Sequence, residues 1–200
     1  TALGYLAMDV NTTGANNTAV GFQALDANTT TSSNTAIGVN ALGVNTANSN
    51  TAVGYGAAAA NTTGTSNTAV GGDALGSNTT ANDNIAVGTS ALYANTTGAG
   101  NTAVGVAALL DSTTGSENTA VGYRSLYNNT TAGANTSIGH SSMFYTTTGA
   151  NNVAVGQASM YVNTTGAGNV AIGNGTLSTN STADNNTAVG TNALLANTTG

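Results

Sequence analysis

Small, β-branched and polar residues follow one another along this chain in a fixed order. Asn and Thr are followed by Ala, Val or Ile, and Gly. Two variable residues, Ala, Leu and two more variable residues come next, and the unit closes on Asn-Thr-Thr-Gly and a final pair. Aligned on the glycine of the Ala-Val-Gly triplet, the markers are Gly4, Gly21, Gly38, Gly54, Gly71, Gly88, Gly105, Gly122, Gly139, Gly156, Gly173 and Gly190. Ten of the eleven intervals are 17 residues, and the interval from Gly38 to Gly54 is 16. Numbering the unit from its Asn as position one, twelve copies fill the chain; the first lacks its Asn and the last is two residues short.

A fixed period of this length is the signature of a repeat architecture, but it is too short for two-helix repeats, which need about 33 residues or more. Gly, Asn and paired Thr in every copy also oppose helix. The longest helix-compatible stretch, Ala57 to Ala60, is four residues. The pattern predicts an all-β fold, a β-solenoid or parallel β-roll of twelve coils of about 17 residues. Asn-Thr-Ala-Val-Gly reads as a first strand, x-Ala-Leu-x-x as a second, and Asn-Thr-Thr-Gly as turn. Glycine at position fifteen (Gly14, Gly64, Gly98, Gly115, Gly149, Gly166) is expected to supply a positive φ. No linker or change of composition divides the chain, so residues 1–200 form a single array, expected to be part of a longer chain.

Alternation within the first strand assigns its faces. Position four is β-branched in eleven copies, and position two is Thr, replaced by Ile85, Val153 and Val170. Both are expected to point inward, together with Leu or Met at position nine. Position three is then outward, yet it is Ala in eleven copies and Ser137 in the other, and position five is always Gly. An outward column confined to such small residues implies a second chain pressed against it. Asn opens every copy whose first position is covered: Asn17, Asn34, Asn50, Asn67, Asn84, Asn101, Asn118, Asn135, Asn152, Asn169 and Asn186. Position twelve is Asn in ten copies, with Ser112 and Thr146 in the others. Identical amides stacked about 4.8 Å apart are expected to hydrogen-bond up the coils as ladders, in a rod of roughly 58 Å. The Asn column and the position-five glycines are the expected structural residues.

Composition narrows the function. Charged residues are 4% of the chain, with one basic residue, Arg124, and neither Cys nor Pro. A single cation cannot neutralise a phosphate backbone, which argues against nucleic acid as a partner. No apolar run reaches the roughly 18 residues of a membrane-spanning helix, and thiolate metal sites and disulfides are impossible.

The strands Asn169 to Gly173 (N-V-A-I-G) and Asn152 to Gly156 (N-V-A-V-G), with their N-T-A-V-G counterparts, resemble the N-S-V-A-I-G repeat of YadA-like trimeric autotransporter adhesin heads. The resemblance runs the length of the chain. It implies a left-handed parallel β-roll, a homotrimer, and a host matrix protein or glycan as partner. Similar N-T-A-V-G-x-x-A-L arrays are found in phage tail fibres. The 17-residue period departs from the roughly 14-residue repeat of the adhesin heads.

An enzyme is not expected. The only histidine, His140, sits at variable position six, and the carboxylates fall at different positions, so no acid–base pair, metal site or cofactor site is predicted. Asp9 and Asp26, in adjacent copies at position ten, are the closest approach to a cation site. Aromatic residues give the one local feature: position ten reads Tyr93, Leu110, Tyr127, Phe144, Tyr161 in five consecutive copies, flanked by Tyr123, Arg124, His140 and Tyr145. Such a ridge is either a surface that holds sugar or protein or a structural ladder, and the ladder is the favoured reading. Thr at position fourteen (Thr13, Thr30, Thr63, Thr80, Thr97), sharing a face with Asn at twelve, raises ice binding as an alternative. Asn-Thr-Thr also matches the N-glycosylation acceptor at Asn11, Asn28, Asn61 and Asn95. The expected function is a structural or adhesive fibre segment at an extracellular, cell or virion surface, self-associating as a trimer or filament. Ice-binding and carbohydrate-binding solenoids are the alternatives.

Overall fold

The computed structural model describes residues 1–198. Each copy contributes one short strand, β1 (Ala2–Leu3), β2 (Thr18–Val20), β3 (Thr35–Ile37), β4 (Thr51–Val53), β5 (Thr68–Val70), β6 (Ile85–Val87), β7 (Thr102–Val104), β8 (Thr119–Val121), β9 (Thr136–Ile138), β10 (Val153–Val155), β11 (Val170–Ile172) and β12 (Thr187–Val189). They form one twelve-stranded sheet in strict sequence order. Every pairing is parallel, with like positions in register, as in Ala103 beside Ala120 and Val104 beside Val121. The fold is the expected β-solenoid, one coil per copy; coil n below carries strand βn.

The faces are the reverse of those expected. Position three points inward: Ala19, Ala36, Ala103 and Ser137 are fully buried. Positions two and four point outward, with Ile37, Ile85 and Ile172 about 40% exposed (40%, 43% and 41%). The core of one coil is the pair of alanines at positions three and eight plus the Leu or Met at nine, as in Ala19, Ala24 and Leu25, each at 0% exposure. A coil this narrow has no room for a β-branched residue at position three, and the small column is filled by the chain's own core rather than by a partner.

The expected second strand is a chain of turns. Positions seven and nine both take left-handed backbone, at Gln23 (φ 52) and Leu25 (φ 55) and at every equivalent pair. A left-handed non-glycine residue costs roughly 1–2 kcal/mol. Two gains offset it at position nine: burying the leucine is worth about 1.5–3 kcal/mol, and its N–H donates to the position-eight carbonyl of the next coil, Leu25 to Ala41 at 3.0 Å.

Position-five glycines lie at φ near +135, and a Cβ on Gly105 would sit 2.5 Å from the carbonyl oxygen of Gly122. Their small size serves the approach of the next coil, not of a second chain. Glycine at position fifteen is favoured by close approach rather than by positive φ, since a Cβ on Gly64 would crowd the Ala81 carbonyl and the Asn61 amide. The left-handed turn residue is instead position seventeen, as at Asn16, Ser33 and Ser66.

Candidate functional site

Two asparagine ladders run inside the coils. At position one, the backbone N–H of Asn101 donates to Oδ1 of Asn84 at 2.9 Å, and its Nδ2 donates to the Gly115 carbonyl at 2.8 Å. At position twelve, Nδ2 of Asn78 donates to Oδ1 of Asn61 at 2.7 Å. The two columns meet at position fifteen, where the Gly64 carbonyl accepts from Asn50 at 2.8 Å and Asn61 at 2.9 Å. Ser112 and Thr146 interrupt the second ladder, and the buried atoms without a hydrogen bond lie at those gaps: Oδ1 of Asn95, Oδ1 of Asn129 and Oγ1 of Thr146. Where serines replace core alanines, they satisfy one another, with Ser125 Oγ donating to Ser137 Oγ at 2.8 Å and Ser137 Oγ to the Ser142 carbonyl at 3.0 Å.

These ladders remove two of the sequence-based expectations. Asn28, Asn61 and Asn95 are fully buried, so those glycosylation acceptors are closed in the folded chain, while Asn11 in the first coil is half-buried. Position twelve therefore shares no outward face with the exposed Thr at fourteen, and no flat Asn/Thr surface exists there.

The outward surface is the sheet itself. Positions two and four form two in-register files over twelve strands, and every residue in them is Thr, Val, Ile or Leu. Parallel strands stand about 4.8 Å apart and alternate residues about 6.6 Å apart, so the strip is a regular grid. It carries no charge. The sequence carries one signal for this face that alternation alone does not give: Thr at position two tolerates water, whereas a column held to Ala fits a narrow core.

The predicted aromatic ridge is assembled. Tyr127 and Phe144 stack at 4.9 Å and 5°, and Phe144 and Tyr161 at 5.4 Å and 19°. Tyr145 meets both Phe144 and Tyr161 edge-on. The guanidinium of Arg124 lies 5.0 Å from the Tyr123 ring centroid and 5.5 Å from that of Tyr127. Tyr123 in turn stacks on His140 at 5.2 Å. Tyr93 stands apart, with Leu110 between it and the stack. Because neighbouring rings cover one another's faces, the ridge offers ring edges and hydroxyls outward; a sugar ring stacks on an open aromatic face.

The same column opens into a cleft of about 260 Å³ in coils 2 to 4, lined by Gln23, Asp26, Asn40, Gly43, Val44 and Ala59. Sequence reasoning passed over it, although the small residues Gly43 and Ala59 at position ten are its signal. Burial raises the Asp111 carboxyl above the ordinary carboxylate value. No group of three or more His, Cys, Asp or Glu that would hold a metal occurs among the described residues, nor any helix long and apolar enough to cross a membrane. Comparison with protein-family models, curated proteins and solved structures returns no match.

Proposed function

We propose that this chain is a segment of an extracellular fibre whose rods associate side by side, as a homotrimer, through the outward strip at positions two and four. One observation supports this above all: two uncharged files, β-branched at every place but Leu3, continue over all twelve coils without interruption. A strip this long and apolar on a soluble rod is characteristic of an interaction surface. The role is mechanical, a stiff projecting pole, in keeping with the resemblance to trimeric adhesin heads. Charge placed in the files tests it. Sedimentation of the parent is expected to give the mass of three chains, and Val104→Asp with Val121→Asp is expected to give single chains with unchanged circular dichroism. A parent that sediments as one chain at high concentration overturns the reading.

A second reading uses the same strip. Nine of the twelve residues at position two are Thr, in a rectangular grid of hydroxyls and methyls of the kind that orders water into ice. Thermal hysteresis in a monomeric parent, abolished by the same double substitution, would assign the strip to ice.

A further inference from the structure

Position ten changes character along one edge of the rod. It is Asp26, Gly43 and Ala59 in coils 2 to 4, where the cleft lies, and Tyr127, Phe144 and Tyr161 in coils 8 to 10, where the rings stack. Tyr93 in coil 6 leans back over Gly76 in coil 5, where an added Cβ would stand 2.9 Å from its ring. The cleft is centred on coil 3 and the stack on coil 9. Both are three coils long and equidistant from coil 6.

We propose that the cleft receives the aromatic stack of a second copy of this chain lying antiparallel, about a two-fold axis at coil 6. Such an axis, lying in the interface and perpendicular to the rod, exchanges coil n with coil 12 − n and preserves position around the coil. Position ten therefore faces position ten. Tyr127 falls opposite Ala59, Phe144 opposite Gly43, and Tyr161 opposite Asp26, so that the large rings meet the smallest side chains and a phenol meets a carboxylate. The contact is isologous, and both clefts fill at once.

Charge agrees with this register. Arg124, the chain's only basic residue, is at position seven of coil 8, opposite position seven of coil 4. That residue is Gly56, and the Asp73 carboxyl leans over it closely enough to collide with any added Cβ. The one cation of each copy thus lands beside a carboxylate of the other, which fixes register more than it adds affinity. A parallel, unshifted pairing would set ring against ring and Arg124 against Arg124. This surface is separate from the strand files at positions two and four, so the inference does not rest on the trimer.

The chain contains no cysteine, and introduced thiols report the register. Position 93 lies on the axis, so Tyr93→Cys is expected to oxidise to a disulfide dimer by itself. Tyr161→Cys is expected to remain uncrosslinked alone and to form a heterodimer when mixed with Asp26→Cys. Arg124→Glu in the Tyr93→Cys chain is expected to lower dimer yield about tenfold, the equivalent of one charge pair, and Asp73→Arg added to it to restore the yield. Val104→Asp with Val121→Asp should leave the yield unchanged, which separates this contact from the trimer. Self-crosslinking of Tyr161→Cys as efficient as that of Tyr93→Cys, or no crosslinking of Tyr93→Cys, overturns the proposal.

Discussion

Asn101 illustrates how one side chain holds two coils. Its Oδ1 accepts the Asn118 backbone N–H at 3.0 Å and the Asn118 Nδ2 at 3.2 Å, while its Nδ2 reaches the Gly115 carbonyl. An amide donates from one atom and accepts at another, so one side chain reaches a coil on either side, which is why both columns were legible in the sequence. The gaps were legible too, as Ser112 and Thr146, but their consequence was not. A shorter side chain leaves its neighbours' buried amide oxygens bare. An unsatisfied buried polar atom costs about 1–3 kcal/mol. Ser112→Asn and Thr146→Asn are each expected to restore the ladder and raise unfolding free energy by about 1–2 kcal/mol, read from urea denaturation. A loss of stability in both would show that the column has lost room for an amide at those coils.

At the scale of the element, period and strand position could be read from the sequence, whereas strand direction could not. A three-residue strand such as Thr102–Val104 gives alternation but no sign, since Thr and Val suit either face. The sign comes from the core: with Ala103, Ala108 and Leu109 already filling the coil, a valine at position three has no space. The missing second strand has a different cause. Leucine in left-handed backbone breaks the usual preference, and only the hydrogen bond to the next coil and the buried side chain make it tolerable. The two glycine columns can be told apart on the same grounds. Gly105 combines φ +136 with a Cβ site 2.5 Å from the Gly122 carbonyl, and its column never varies. Position fifteen accepts Thr31, Ala47, Ala81, Ala132 and Ala183. Gly105→Ala is therefore expected to cost at least about 2 kcal/mol through backbone strain and displacement of the next coil, and Gly115→Ala clearly less. Equal losses in melting would mean that contact rather than backbone angle sets both columns.

Each strand of the whole molecule touches only the strands before and after it, so stability should add coil by coil. Coil 3 shows which part of the unit carries this additivity. It is one residue short, yet β3 and β4 pair in register. The Asn45 amide donates to Ala47, two residues on, where Asn61 reaches Gly64, three residues on. The residue dispensed with is position fourteen, which is exposed in every other coil where that position is described. Length is thus constrained everywhere that a side chain or N–H enters a ladder, and free where neither does. Removing Asn67–Asp83, one complete unit, places Asn84 where Asn67 stood and keeps both ladders continuous across the junction. That deletion is expected to keep cooperative unfolding and to lower the urea m-value by about one part in twelve, in proportion to the surface lost. Deleting Ala103 alone shifts all later residues of its coil by one and reverses which side chains point inward. The smaller deletion should therefore be the more damaging, and a chain that melts the same without Ala103 as without a whole unit would show that the coils are not held in register by their ladders.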